Sequence, residues 1–170
     1  MKKLVILTHP NIENSRINKT WLTELAKHDD TLTIHHLDKA YPDGKIDVHK
    51  EQELLASHEE IVFQFPVFWF NIPALLKKWL DEVLTYGWAF GPGGDKMAGK
   101  KIRVCVSTGG TKETYDKGIA IEQLLANFTT SFKFCGCDVV SVRAFHGANF
   151  SPSIELIEQD AREYSKEILA

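Results

Sequence analysis

The chain has 170 residues, 44% of them apolar and 25% charged, ordinary values for a soluble globular protein of one domain (1–170) with a sizeable core. A formal net charge of −3 gives no ground for nucleic acid or an anionic membrane surface as a partner. No run approaches the ~18 consecutive apolar residues of a membrane span.

The N-terminus, Met1 to Pro10, carries lysines ahead of an apolar run, but Leu4–Leu7 is too short for a signal-peptide core and leads into His9-Pro10. Lys3–Thr8 therefore reads as a first buried strand. Ser15 to Lys27 places Ile17, Trp21, Leu22 and Leu25 on one helical stripe. Thr31–Leu37 alternates more than the other strands and suits a sheet edge; in its His35-His36 pair one ring is expected to face out, with no partner carboxylate or thiol expected. A short charged helix over Val48–His58 comes next, then a near-continuous apolar strand, Glu60–Phe65. Pro73–Thr85 forms a helix burying Leu75, Leu76, Trp79, Leu80, Val83 and Leu84. Lys101–Ser107 is a further strand, Ile119–Phe134 a helix, Asp138–Phe145 a strand and Ser153–Leu169 a closing helix. Alternation of strand and helix predicts an α/β fold, with a parallel sheet covered on both faces and joined by right-handed crossovers. Five strands in one domain fit a flavodoxin-like three-layer sandwich with order 2-1-3-4-5.

Three cysteines, Cys105, Cys135 and Cys137, without a signal peptide point to a reducing, cytoplasmic setting. Cys135-Gly136-Cys137 is not a zinc spacing, so the cysteines read as small apolar filler and no metal is expected.

In such sheets ligands bind at the carboxyl ends of strands, near the switch point between the first and third. The loop after the first strand runs from His9 to Asn18 and ends at a helix start. Ser15 is a good N-cap, and free N–H groups with the positive dipole end suit a phosphate. Arg16 adds charge, and Asn18 adds an amide beside Ile17. The loop is neither a phosphate-binding Gly-x-x-x-x-Gly-Lys sequence nor a Gly-x-Gly-x-x-Gly turn, and alone it also suits plain capping. After the third strand, Pro66-Val67 leads into Phe68-Trp69-Phe70. Bulky aromatics are poor loop chemistry, so they either fold back onto the core or offer a shelf to a flat ligand. After the fourth, Ser107-Thr108-Gly109-Gly110-Thr111 lets backbone N–H groups approach a polar ring edge, with the Tyr115 phenol close behind as a further donor; alone, it also suits a turn. Phosphate chemistry, an aromatic shelf and backbone donors together suit flavin mononucleotide. The Gly87–Gly94 loop is available to roof the site.

These residues carry a family likeness. Over nearly its whole length the chain resembles the flavodoxin-like NAD(P)H:quinone oxidoreductases, and within them the short bacterial branch of general stress protein 14-like enzymes, modulator-of-drug-activity proteins and potassium-efflux ancillary oxidoreductases. The markers are His9-Pro10 with Ser15 and Asn18, Pro66 with Trp69-Phe70, Pro73 to Lys77, Gly87 with Ala89-Phe90, Thr108-Gly109-Gly110 and Cys135-Gly136. The resemblance implies that His9, Ser15, Ile17 and Asn18 hold the flavin phosphate and ribityl region, that Pro66, Val67, Phe68, Trp69 and Phe70 flank the ring, and that Ser107, Thr108, Gly109 and Gly110 bind its pyrimidine edge. It implies a homodimer with the active site at the subunit interface, NAD(P)H as electron donor, and ping-pong transfer of two electrons to a quinone or similar electrophile, with Tyr115 the catalytic residue. The family's histidine a few residues beyond that tyrosine falls at Ala120, and the long C-terminal extension of its FAD-binding members is missing, which favours FMN over FAD. Two rival readings share the fold: an ancillary regulatory subunit of a glutathione-gated potassium-efflux antiporter, and a one-electron flavodoxin. Mild acidity and the loop available as a roof speak against the latter.

Overall fold

The computed structural model describes residues 2–28 and 30–170. Strands β1 (Lys3–Leu7), β2 (Leu32–His36), β3 (Glu60–Pro66), β4 (Lys101–Ser107) and β5 (Asp138–Phe145) form one sheet of order β2-β1-β3-β4-β5. Every pairing is parallel, and the ladder slips once, between Ile102 and Arg103 on β4. β3 is central, and all seven of its residues are buried, as expected of a strand covered on both faces. The less regularly apolar β2 lies at the edge.

Helices α1 (Arg16–Leu25), α2 (Leu37–Ala40), α3 (Val48–Ala56), α4 (Ala74–Val83), α5 (Lys112–Lys117), α6 (Ile121–Leu124), α7 (Ala126–Phe134) and α8 (Ile154–Leu169) surround the sheet. The strand period of two divides the core into two layers. Ile6, Phe63, Phe65 and Val104 join Trp79 of α4 with Phe128 and Phe132 of α7. Val5, Val62 and Cys105 join Trp21 of α1 with Ile157 and Tyr164 of α8. All three cysteines are free and buried; burial pushes the Cys137 thiol up to about 12, consistent with packing rather than reactivity.

Several expectations need correction. The helix expected over Ile119–Phe134 is two, α6 and α7, broken at Leu125 (φ −92°, ψ 8°), where neither proline nor glycine marks the sequence. The short α2 and α5 lack a full turn of apolar periodicity and were not anticipated. Neither histidine of the edge strand faces out: their side chains are 13% and 10% exposed. His35 Nε2 lies 2.8 Å from Glu51 Oε1, a carboxylate delivered from α3, while His36 Nε2 contacts His9 O at 3.2 Å. The segment after α4 does not roof the carboxyl ends. Lys96 N–H donates to Trp88 O within the segment, while Gly99 N–H donates to Gly136 O and Lys101 N–H to Glu59 O, tying its end to the amino ends of β5 and β3. A helix of α4's length returns the chain across the sheet, so the segment beyond its C-terminus cannot cap the ends where the helix began. Among the described residues no helix is long and apolar enough to cross a membrane, and no cluster of ligands could hold a metal ion.

Candidate active site

A cleft of about 320 Å³ opens at the carboxyl ends of β1, β3 and β4. His9, Ser15, Arg16 and Ile17 line it from the first loop, Pro66, Val67 and Phe68 from the second, and Ser107, Thr108 and Gly109 from the third. All three sequence-predicted loops therefore meet. Asn14, Ala148 and Asn149 complete the lining and were missed. The first sits in a loop already singled out; the other two come after β5, beside the turn residue Gly147.

The first wall is a helix start with its donors free. Ser15 is extended and its Oγ accepts from Asn18 N–H at 3.1 Å, so its own hydroxyl hydrogen remains available. The N–H groups of Arg16 and Ile17, in the first turn, have no intrahelical partner. Arg16 Nη2 donates to Pro152 O at 2.6 Å, pinning the helix start to the segment before α8. His9 is held by its backbone N–H on Asp38 Oδ2 (2.7 Å), and its Nδ1 accepts from Asn11 N–H (3.1 Å). The ring proton therefore resides on Nε2. Burial lowers the His9 pKa below 6.5, Asp38 opposes and His36 adds to the shift. Asn18 is not in the lining: it is 1% exposed, and its Nδ2 donates to Ser107 Oγ behind the wall.

The second wall carries the most unusual backbone. Phe68 and Asn71 exchange both N–H···O bonds, each 3.0 Å, around Trp69 (φ 48°) and Phe70 (φ 59°). Left-handed φ at both central residues is the arrangement that favours Asn-Gly, and each bulky residue there costs about 1–3 kcal/mol. The rings recover little of this by burial, since Trp69 is 94% and Phe70 60% exposed. They do not fold back onto the core; they stand at the rim rather than in the cleft lining.

The third wall is latched to the loop after β5. Ala148 N–H donates to Thr108 O and Gly147 N–H to Gly110 O, while Thr108 N–H donates to Phe145 O. The N–H groups of Gly109 and Gly110 have no acceptor among the described residues. Space explains the glycines: a side-chain carbon at Gly109 would lie 2.4 Å from Asn149 Nδ2, and one at Gly110 3.2 Å from Tyr115 Cε2. Tyr115, on α5, is 7% exposed and lies behind Gly110; neither is in the cleft lining, and the Tyr115 ring is 6.5 Å from Phe70 and 5.0 Å from His146. Ala120 and His146 line the same recess of about 240 Å³ behind it.

A buried polar chain supports the floor. Tyr164 OH donates to Gln64 Oε1 (3.0 Å), Gln64 Nε2 to Asn18 O (3.0 Å) and Asn18 Nδ2 to Ser107 Oγ (2.8 Å). Gln64, in the middle of an apolar strand, was its sequence signal. A larger groove of about 500 Å³ runs between α4 and α7, with Leu80, Leu84, Phe90 and Phe134 in its lining, but lies along the helices, away from the carboxyl ends of the strands.

The sheet order defines a flavodoxin-like α/β protein, with the cleft at the switch point where such sheets bind ligands. A family model described as a flavodoxin-like fold matches residues 1–168, and the chain belongs to that family. It is 47% identical over 140 residues to the uncharacterized NAD(P)H oxidoreductase YrkL of Bacillus subtilis, covering 80% of each chain. It is 36% identical over 169 residues to the glutathione-regulated potassium-efflux system ancillary protein KefF of Salmonella typhimurium, covering 98% of this chain and 95% of that one. Among solved structures, general stress protein 14 of Treponema denticola in complex with FMN superposes with a TM-score of 0.93 at 40% identity, covering 100% of both chains.

Proposed function

We propose that the chain is an FMN-dependent NAD(P)H:quinone oxidoreductase, a single domain that passes two electrons to a quinone or similar electrophile by a ping-pong mechanism. The observation that carries this reading is the meeting of free helix-start donors, an exposed aromatic turn and unpaired backbone N–H groups around one cleft. The YrkL relative, named for NAD(P)H oxidoreduction, and the FMN complex of a 40% identical neighbour support it.

The donors fit the cofactor. Ser15 and the N–H groups of Arg16 and Ile17 suit a terminal phosphate, and the His9 Nε2–H adds a neutral donor. The free N–H groups of Gly109 and Gly110 suit a ring edge that gains negative charge. A volume of about 320 Å³ lies at the small end of the range for ligand pockets and suits FMN better than FAD. Bound there, FMN supplies hydride acceptance and donation. Pro66 to Phe68 support the ring plane. Trp69 and Phe70, exposed at the rim, would meet nicotinamide and quinone in turn, the first leaving before the second enters. The Tyr115 phenol, placed behind Gly110, would supply a hydrogen bond to the reduced ring.

A homodimer is part of the proposal. It is supported by the groove between α4 and α7, with Phe134 72% exposed beside Phe90, and by residues 84–100, none of which lines the cleft at the carboxyl ends of their own chain. Light scattering on the purified protein should give twice the chain mass. Purified protein should be yellow, hold about one FMN per chain, and oxidise NADH or NADPH with a simple quinone. Colourless protein that gains no bound flavin from added FMN defeats the reading. Similarity to KefF favours a second role as the ancillary subunit of a potassium-efflux antiporter. Co-purification with an antiporter's cytoplasmic domain tests it, and no binding with both partners folded rejects it.

A further inference from the structure

His146 is a half-buried histidine that the proposed reaction does not use. It lies just after β5, and its Nδ1 is 2.9 Å from Thr108 Oγ1. The Thr108 hydroxyl hydrogen is already directed to Gly110 O at 3.0 Å, so Thr108 Oγ1 accepts from the ring and Nδ1 carries the proton. One face of the imidazole packs on Tyr115, with centroids 5.0 Å apart and planes inclined by 36°. Burial lowers the His146 pKa below 6.5 and Lys112 of α5 adds to this, while Asp116 of α5 and Glu122 of α6 oppose. The neighbouring Gly147 and Ala148 N–H groups latch onto Gly110 and Thr108 carbonyls at 2.7 and 2.9 Å.

We propose that His146 is a positioning residue for the third wall: it holds the Thr108 hydroxyl on Gly110 O and seats the Tyr115 ring, so that the Gly109 and Gly110 N–H groups and the phenol act as one unit. This rests on reading the cleft as an FMN site. The imidazole links both sides of the loop: its hydrogen bond sets Thr108, and its face sets Tyr115, which in turn abuts Gly110. A side chain with the donor alone should restore the loop half of this; one with neither should restore nothing.

Three measurements test it. FMN should bind His146→Ala about fivefold more weakly than the parent, the worth of one hydrogen bond. His146→Asn, whose amide N–H replaces the Nδ1 donor, should recover to within about twofold of the parent, with thermal midpoints of the Ala and Asn variants alike. In the parent, imidazole nitrogen shifts should report the Nδ1-protonated tautomer. Parent-like FMN affinity in His146→Ala, no recovery in His146→Asn, or the Nε2-protonated tautomer overturns the assignment. Failure of the parent itself to bind FMN overturns the cofactor reading and this one together, whereas parent-like binding by His146→Ala overturns this one alone.

Discussion

Asn18 and Ser107, 89 residues apart, are joined by a buried 2.8 Å hydrogen bond that fastens the start of α1 to the end of β4. The bond couples the phosphate-suited wall to the wall of backbone donors. Gln64 reaches Asn18 from β3 and Tyr164 reaches Gln64 from α8, so four elements meet beneath one cleft. Asn18→Ala removes the amide and strands the Ser107 hydroxyl. It should cost about 1–3 kcal/mol in urea unfolding and loosen FMN binding as well. Parent-like stability and affinity would show that the two walls are held independently.

The Trp69-Phe70 turn stores backbone strain for exposed rings. Replacing the pair with Asn and Gly (W69N with F70G) suits the left-handed φ values and should stabilise the FMN-free protein by about 1–3 kcal/mol. The same change should weaken FMN binding by about 1–3 kcal/mol, by analogy with bases stacked on aromatics. Thermal unfolding and quenching of flavin fluorescence read the two effects, and a destabilised variant would contradict the strain.

Tyr115→Phe keeps the ring between Phe70 and His146 and removes only the hydroxyl. If that hydroxyl bonds the reduced ring, flavin reduction by NAD(P)H should slow by about fivefold, equivalent to one hydrogen bond of ~1 kcal/mol. Unchanged rapid-mixing rates would reject the role.

Glu51 is a fully buried carboxylate that accepts from Tyr41 OH (2.6 Å) and Trp79 Nε1 (2.8 Å), with His35 Nε2 also 2.8 Å away. Burial opposes its ionisation, but the bonds from His35, Tyr41 and Trp79 outweigh this and hold the pKa below 4.5. Its contribution is therefore complete above pH 4.5 and lost as pH falls through the lower folded value. Glu51→Ala strands three partners and should cost about 3–5 kcal/mol in denaturant unfolding near neutral pH. A loss below about 1 kcal/mol would show that water replaces the carboxylate.

Burial also depresses the pKa values of His9, His36 and His146 below 6.5. As pH falls the unfolded chain takes up these protons first, so stability is full above 6.5 and declines as pH passes through the depressed folded values. The urea midpoint should be lower at about pH 5.5 than at about pH 7.5, and His36→Asn should reduce the difference. Equal midpoints would mean that the rings are hydrated in the folded state.

The sheet was readable because its signal is local. Ile61 to Phe65 are apolar but for Gln64, and Ile17, Trp21 and Leu25 recur at helical spacing, so strands, helix faces and the loops between them can be read from neighbours in sequence. The first, second and third loops were legible for the same reason: Ser15 caps, Phe68-Trp69-Phe70 is out of place in a loop, and Gly109-Gly110 is open backbone. Asn149 and His146 were not, because a histidine and an asparagine after a strand are unremarkable until the fold sets them against Gly109 and Tyr115. Glu51 similarly resembled any surface glutamate of a charged helix.

Periodicity and turn chemistry alone therefore determined an α/β sheet and the three loops that would carry chemistry, since both depend on contacts within a few residues. Tertiary structure decided which candidates face the cleft. It withdrew Asn18 into a supporting bond, left Trp69 and Phe70 in the open, sent residues 84–100 to the opposite end of the sheet, and brought His146 against Tyr115. Those outcomes depend on strand order and on where each helix returns the chain, which arise from packing between residues far apart in sequence and leave no mark on any local pattern.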